Sequence, residues 1–167
     1  MNGRGGKSYC VAMKKTRILF VCHGNICRSP TAEFVMKDLV KKAGLEARFE
    51  IESAAVSSEE LGNPVYPPAR RTLEKHGISC GGKFARLLTH ADYDNFDVIA
   101  VMDFSNLSNA HRICGGDAQN KIKLLLEFAG RPNCEVDDPW YSGGFEAAYA
   151  DILSGCKGLL ESFSAQD

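Results

Sequence analysis

The sequence predicts a three-layer α/β sandwich, a four-stranded parallel sheet with helices on both faces. Three observations carry that prediction. Arg17-Ile18-Leu19-Phe20-Val21 and Phe96-Asp97-Val98-Ile99-Ala100-Val101-Met102 are short, apolar and β-rich, as strands buried on both faces are. Stretches of helical spacing alternate with the strands, the pattern of a doubly wound sheet. A chain of 167 residues also suits one compact domain better than two.

Taken in order, residues 1–15 carry glycine, lysine and arginine without the apolar run of a signal peptide. They are expected to be a flexible extension, leaving 16–167 as a single domain. After the first strand comes a glycine-containing loop. Pro30-Thr31-Ala32-Glu33 then opens a helix whose Phe34, Val35, Leu39 and Val40 share a face, with Gly44 as its stop. Ala47-Arg48-Phe49-Glu50-Ile51-Glu52 alternates like a strand with one wetter face. Residues 57–68, with Gly62, Asn63, Pro64, Pro67 and Pro68, read as loop, and Ala69 to His76 as a helix ending at Gly77. Phe96 to Met102 is the next strand, Ser105 to Ile113 a helix, Lys121 to Leu125 the fourth strand, and Gly144 to Phe163 the terminal helix. Ligands of such sheets bind beyond the carboxyl ends of the strands. The segments after Val21 and near Asp103 fall at that edge.

Composition narrows the chemistry. A net charge of −1 offers no basic surplus for nucleic acid, and no run is long enough to span a bilayer. Seven cysteines, an odd number without disulfide-scaffold or zinc-like spacing, suit a reducing cytoplasm. Cys10, Cys80, Cys114, Cys134 and Cys156 read as small buried hydrophobes or surface thiols.

The loop Cys22-His23-Gly24-Asn25-Ile26-Cys27-Arg28-Ser29 carries the chemistry. It leaves a strand and enters a helix, so its backbone N–H groups can converge on one anion. Gly24 removes a side chain where backbone and ligand approach, and Asn25 tolerates a left-handed conformation. Arg28 offers bidentate donation to two phosphate oxygens, and the same surroundings favour thiolate over thiol at Cys22. A thiolate there can attack phosphorus, and Ser29 can donate a hydrogen bond to it. A leaving alkoxide or phenolate needs a proton. Asp138, in Asp137-Asp138-Pro139-Trp140-Tyr141, is the candidate donor. On spacing alone a surface turn with packed aromatics explains that segment equally well.

Val21 to Pro30 resembles the signature loop of the low-molecular-weight protein tyrosine phosphatases, and Asp138-Pro139 with two aromatics resembles that family's acid loop. Ser53-Ala54-Ala55, Gly62-Asn63-Pro64, His76-Gly77-Ile78 and Met102-Asp103-Phe104-Ser105-Asn106-Leu107 follow in the family's order, so the resemblance runs from about Thr16 to the C-terminus. It implies the strand order 2-1-3-4, with Cys22 as nucleophile, Arg28 as phosphate ligand and Asp138 as acid and then base. The loop from His23 to Ser29 would bind phosphate. Asn25, Ser29, Ser53 and His76 would hold the loop's shape with Asp103 in support. From the residues alone, His76 reads as a packed or capping histidine and Asp103 as a turn or helix cap. His90 and His111 read only as packed. The resemblance also implies a reversible Cys22–Cys27 disulfide that shields the nucleophile, against the plainer reading of Cys27 as a small residue under the loop.

The implied substrates are phosphotyrosine-bearing proteins and small aryl phosphates, with inorganic phosphate as product and inhibitor and no cofactor or metal. Ile26 is what tyrosine-directed members carry, where threonine marks relatives acting on phosphoarginine. Ile26, Trp140 and Tyr141 would wall a slot deep enough for a phenyl phosphate. Glu59 replaces a common aromatic on the pocket wall, and His23 a common apolar residue. Two other functions fit less well. An arsenate reductase on this scaffold needs a resolving cysteine pair after the third strand, where Cys114 stands alone. A silent phosphate-binding module would lack Cys22 or Asp138.

Overall fold

The computed structural model describes residues 14–164. The extension expected over residues 1–15, Cys10 included, lies outside the described residues except for Lys14 and Lys15. The elements run β1 (Thr16–Cys22), α1 (Arg28–Lys42), β2 (Phe49–Ala55), α2 (Pro67–Lys75), α3 (His90–Asn95), β3 (Val98–Val101), α4 (Phe104–Cys114), β4 (Ile122–Leu124), α5 (Pro139–Ser142) and α6 (Phe145–Ser164). Two 3-10 turns, Glu46–Arg48 and Leu125–Ala129, lie between them. All strand pairs are parallel, in the order β2-β1-β3-β4.

The central strand β1 supplies both faces of the core. Ile18, Phe20 and Cys22 join the cluster with α1, α2 and α6, while Leu19 and Val21 join the cluster with α3 and α4. Ile18 to Val21 are wholly buried. Each such large side chain removed from water contributes about 1.5–3 kcal/mol, which makes β1 the rigid base from which the next loop springs.

Element boundaries moved for identifiable reasons. α1 begins at Arg28 rather than Pro30, because proline within the first turn lacks an N–H that would have no intrahelical partner anyway. Gly44, at φ 71°, ends it as expected, and Gly77, at φ 75°, ends α2. β2 begins at Phe49, after the 3-10 turn, and continues through buried Ser53-Ala54-Ala55, so the expected span of 47–52 was shifted. α2 starts at Pro67, and β3 and β4 are shorter than expected. α3 and α5 were not anticipated. α3 is held by a capping box between Thr89 and Asp92.

α6 lies against the 3-10 turn Leu125–Ala129 so closely that only glycine fits at two positions. A Cβ on Gly155 would stand 2.6 Å from Leu125 Cγ, and one on Gly158 would overlap the Phe128 carbonyl. Gly158→Ala therefore sets a helix-propensity gain of about 1 kcal/mol against an overpacking cost of about 1–3 kcal/mol. The expected result is a lower urea midpoint. A midpoint equal to or above that of the parent would show that the turn yields.

Candidate active site

The loop after β1 is fastened by its carbonyls. Those of Cys22 and His23 accept the Val56 and Ser57 N–H groups, each at 3.0 Å, and that of Ile26 accepts the Tyr66 N–H at 2.9 Å. The Cys27 carbonyl accepts both the N–H and the hydroxyl of Thr31, at 3.1 and 2.7 Å. No side chain caps the start of α1. Its first amides therefore open toward the loop, where an anion is favoured.

Asn25 is the hub. Its φ of 59° is the left-handed conformation expected of it, and three contacts of its side chain hold it there. Oδ1 accepts the Arg86 N–H at 3.1 Å, while Nδ2 donates to Ser29 Oγ at 2.8 Å and to Ser53 Oγ at 2.9 Å. Cys22 Sγ lies 3.3 Å from the Asn25 N–H and 3.0 Å from Ser29 Oγ. At Gly24 a Cβ would come within 3.2 Å of Glu60 Cγ, so the close approach there is to a neighbouring loop.

Arg28 is only 2% exposed. Its Nη1 donates to Asp103 Oδ2 and to the Val136 carbonyl, both at 2.8 Å, and Nη2 lies 3.5 Å from Asp138 Oδ2. Burial works against the guanidinium charge. Cys22, the hydrogen bond and charge of Asp103, and Asp138 outweigh it, leaving Arg28 above its ordinary range. Asp103 also caps α4, its Oδ1 accepting the Asn106 N–H at 2.7 Å. Asp138 caps α5 through Trp140 N–H at 3.1 Å, and the acid segment is tied to the sheet by Val136 N–H on the Met102 carbonyl at 2.8 Å.

These groups line one cleft of about 530 Å³, its open mouth included. The structure brings Cys22, His23, Gly24, Ile26, Cys27, Arg28, Glu59, Asp138, Trp140 and Tyr141 to its walls. Trp140 leans on Tyr66, ring centroids 4.6 Å apart, while Tyr141 stands out into solvent. His23 Nε2 and Glu59 Oε2 pair at 3.1 Å across the mouth. Burial first, then the charges of Cys22 and Asp138, pushes the Cys27 thiol up to about 12.

One expected placement is corrected. His76 is not in the network behind the loop: its ring bonds Glu146 at 3.0 Å and stacks on Tyr149 at 3.9 Å, because it ends α2 beside α6. It is the packed histidine of the plainer reading. The cation behind the loop is Lys83 instead, which donates to the Ser53 carbonyl at 2.9 Å and lies 3.4 Å from Glu33 Oε1. Lys83, Glu33, Arg86 and the cleft residue Glu60 were missed. Glu33 showed only as a helix-start acid, and Gly81-Gly82-Lys83 carries no motif. Cys114, which a resolving relay would need, packs in the cluster on the far side of the sheet from Cys22, its thiol pushed up to about 11 by burial and then by Asp92 and Asp117.

Such an arrangement defines a class, an enzyme that works on a tetrahedral oxyanion with a cysteine thiol. Comparison with known proteins makes the class specific. The family model described as low molecular weight phosphotyrosine protein phosphatase matches residues 17–167. The chain is 38% identical to the low molecular weight protein-tyrosine-phosphatase YfkJ of Bacillus subtilis, over 89% of this chain and 96% of that protein. It is 41% identical to the low molecular weight phosphotyrosine protein phosphatase of Schizosaccharomyces pombe, over 90% and 99%. The crystal structure of YfkJ superposes with a TM-score of 0.88 at 36% identity, covering 99% of both chains. That of a Drosophila arginine phosphatase gives 0.79 at 32% identity, covering 90% of this chain and 99% of its own. The protein belongs to the low molecular weight phosphotyrosine protein phosphatase family.

Asp103→Asn keeps a capping oxygen and removes the charge facing Arg28. Losing a charge-assisted hydrogen bond of this kind is expected to cost about 1.5–3 kcal/mol of stability. Inorganic phosphate should also bind more weakly, because the guanidinium is no longer aimed. Calorimetry with phosphate checks both, and parental affinity would show that Val136 and Asp138 suffice to aim Arg28.

Proposed function

We propose that the protein hydrolyses phosphotyrosine, in proteins and as small aryl phosphates, through a cysteinyl-phosphate intermediate. The observation that carries this reading is the meeting of Cys22 Sγ, with two hydrogen-bond donors on it, the buried Arg28 and Asp138 in a single cleft. The loop amides and Arg28 hold the phosphoryl oxygens while Cys22 sulfur attacks phosphorus. The bond from phosphorus to the tyrosyl oxygen breaks, and Asp138 gives its proton to that oxygen. Asp138 then takes a proton from the water that attacks the cysteinyl-phosphate. The sulfur–phosphorus bond breaks, releasing phosphate and regenerating the thiolate, to which Ser29 donates.

Ile26 and Trp140 on the walls support an aryl ester, whose length brings the phosphate down to Cys22 where a seryl ester would stop short. Isoleucine rather than threonine at position 26 favours phosphotyrosine over the phosphoarginine chemistry of the Drosophila relative. The pairing of His23 with Glu59 at the mouth gives the rim a polar edge that selects among phosphopeptides. All six described cysteines are unpaired, which supports a reducing compartment such as the cytoplasm. Among the described residues no helix is long and apolar enough to cross a membrane.

Turnover of p-nitrophenyl phosphate is expected to follow a bell-shaped pH profile and to vanish in Cys22→Ser and Arg28→Ala. Asp138→Ala should be slower by about 10²–10⁴-fold, the usual worth of a general acid. The same assay with phosphotyrosyl, phosphoseryl and phosphoarginyl peptides tests selectivity. Undiminished activity in Cys22→Ser would end the mechanism, and equal rates on the three peptides would end the substrate assignment.

Cys27 is the proposed redox guard. Peroxide converts the Cys22 thiolate to a sulfenic acid, and the Cys27 thiol then displaces water to give a disulfide that a dithiol reduces back. Peroxide-treated wild type is expected to regain activity with dithiothreitol, and Cys27→Ser to lose it progressively. Equal recovery in both would remove the role.

A further inference from the structure

The slot walled by Ile26 and Trp140 is gauged by a residue that does not line it, Tyr66. Tyr66 is the N-cap of α2, a position where serine, threonine, aspartate or asparagine would offer an oxygen to the free amides of the first turn. Tyrosine offers none, and no side chain caps α2. Pro67 and Pro68 have no N–H, which leaves the Ala69 amide as the one that such a cap would serve. The helix start thus tolerates a tyrosine here and gains nothing from it. As a cap the side chain is idle, and its ring is engaged elsewhere.

Tyr66 reaches both walls of the slot. Its main-chain N–H donates to the Ile26 carbonyl at 2.9 Å, and its side chain packs against Ile26, Cys27 and Ala85. Its ring meets the Trp140 ring at 4.6 Å between centroids, tilted by 47°, and the Phe145 ring at 6.1 Å. Aromatic pairs at such separations attract each other beyond the area they bury. Phe145 opens α6 and packs against the main core, so Tyr66 has firm support. Trp140 has less. Asp138 fixes its main chain by accepting its N–H at 3.1 Å, but α5 is a single turn of four residues, and Trp140 is 48% exposed. Among the described residues Tyr66 is the one aromatic ring that meets it.

We infer that Tyr66 is a positioning residue that sets the aryl specificity of the cleft, tying Ile26 and holding the Trp140 ring in place before substrate arrives. The inference rests on the phosphatase reading and adds what fixes the width of its slot. A side chain ordered in advance need not be ordered by the substrate, and each one left loose weakens binding. Only the ester group feels this hold. The phosphoryl group is gripped by the loop amides and Arg28, so a loosened Trp140 leaves that grip as it was.

The test compares Tyr66→Ser and Tyr66→Leu, which remove the ring with and without a cap oxygen, with Tyr66→Phe, which keeps it, all in the full chain. Each retains the N–H that holds Ile26. The two ringless variants are expected to raise KM for p-nitrophenyl phosphate and for a phosphotyrosyl peptide about three- to tenfold, the cost of ordering one side chain on binding. Both kcat and the inhibition constant of inorganic phosphate should change far less. Trp140 is the only tryptophan of the chain, so fluorescence reports its ring directly. Without the Tyr66 ring its emission should move to the red, and acrylamide should quench it faster. Tyr66→Phe should match wild type in every readout. In a Trp140→Ala background Tyr66→Ser should cost nothing further, because the two residues act as one. Wild-type KM in the ringless variants would overturn the inference, as would a phosphate constant that weakens in step with KM, or an equal loss with Trp140 already removed. If wild type itself failed to turn over p-nitrophenyl phosphate, the phosphatase reading would fall, while the quenching would still decide whether Tyr66 holds Trp140.

Discussion

Arg28 holds the catalytic end of this protein together. A guanidinium this deeply buried is tolerable only when its donors are met, and the chain meets them from three separate places. Asp103 comes from the end of β3, the Val136 carbonyl from the segment tied to Met102, and Asp138 from the start of α5. Arg28 itself is the first residue of α1. One charge thus fixes a helix start, a strand end and the acid-bearing segment against each other. An anion entering the loop meets a cation already aimed, which is how a preorganised site lowers the cost of charge development.

Asn25 does for the loop's shape what Arg28 does for its charge. A left-handed asparagine is an unfavourable local choice, and it persists because its amide satisfies a backbone N–H and two hydroxyls at once. Those two hydroxyls lead in opposite directions, one to the sulfur and one to Glu33 and its lysines. The strain is therefore offset by a network that reaches into β2 and the strap before α3. The surroundings of the Cys22 sulfur depend on residues more than fifty positions away in sequence.

That distance explains what was legible in advance. β1, its loop and α1 could be read because their signals are local: an apolar run, a glycine-asparagine turn, a proline near a helix start. Cys22 and Arg28 could be named because their residue types and spacing match a known chemistry, Asp138 only through the family resemblance, and the structure brings all three to one cleft. His76 and Lys83 show the limit. Each is a basic residue near a turn, and nothing within ten residues of either says which one will face Ser53. Pairing between residues 84–88 and residues 55 and 64 decides that, and it is a tertiary fact. α3 was the opposite case, a missed element whose signal was present, since Thr89 and Asp92 have capping-box spacing.

The alternation of β1 has a consequence for how this chain can vary. Ile18, Phe20 and Cys22 share one face, and Leu19 and Val21 the other, with both faces covered. The side on which the sulfur emerges is thus a matter of parity. Exchanging one aliphatic residue for another of similar volume in 18–21 leaves that parity intact. Inserting or deleting a single residue ahead of Cys22 reverses it, sending the thiol toward α4 and the Cys114 side of the sheet. Descendants of this sequence are free to drift in the composition of the strand, but its length up to the cysteine is frozen, and only changes of two residues preserve the face.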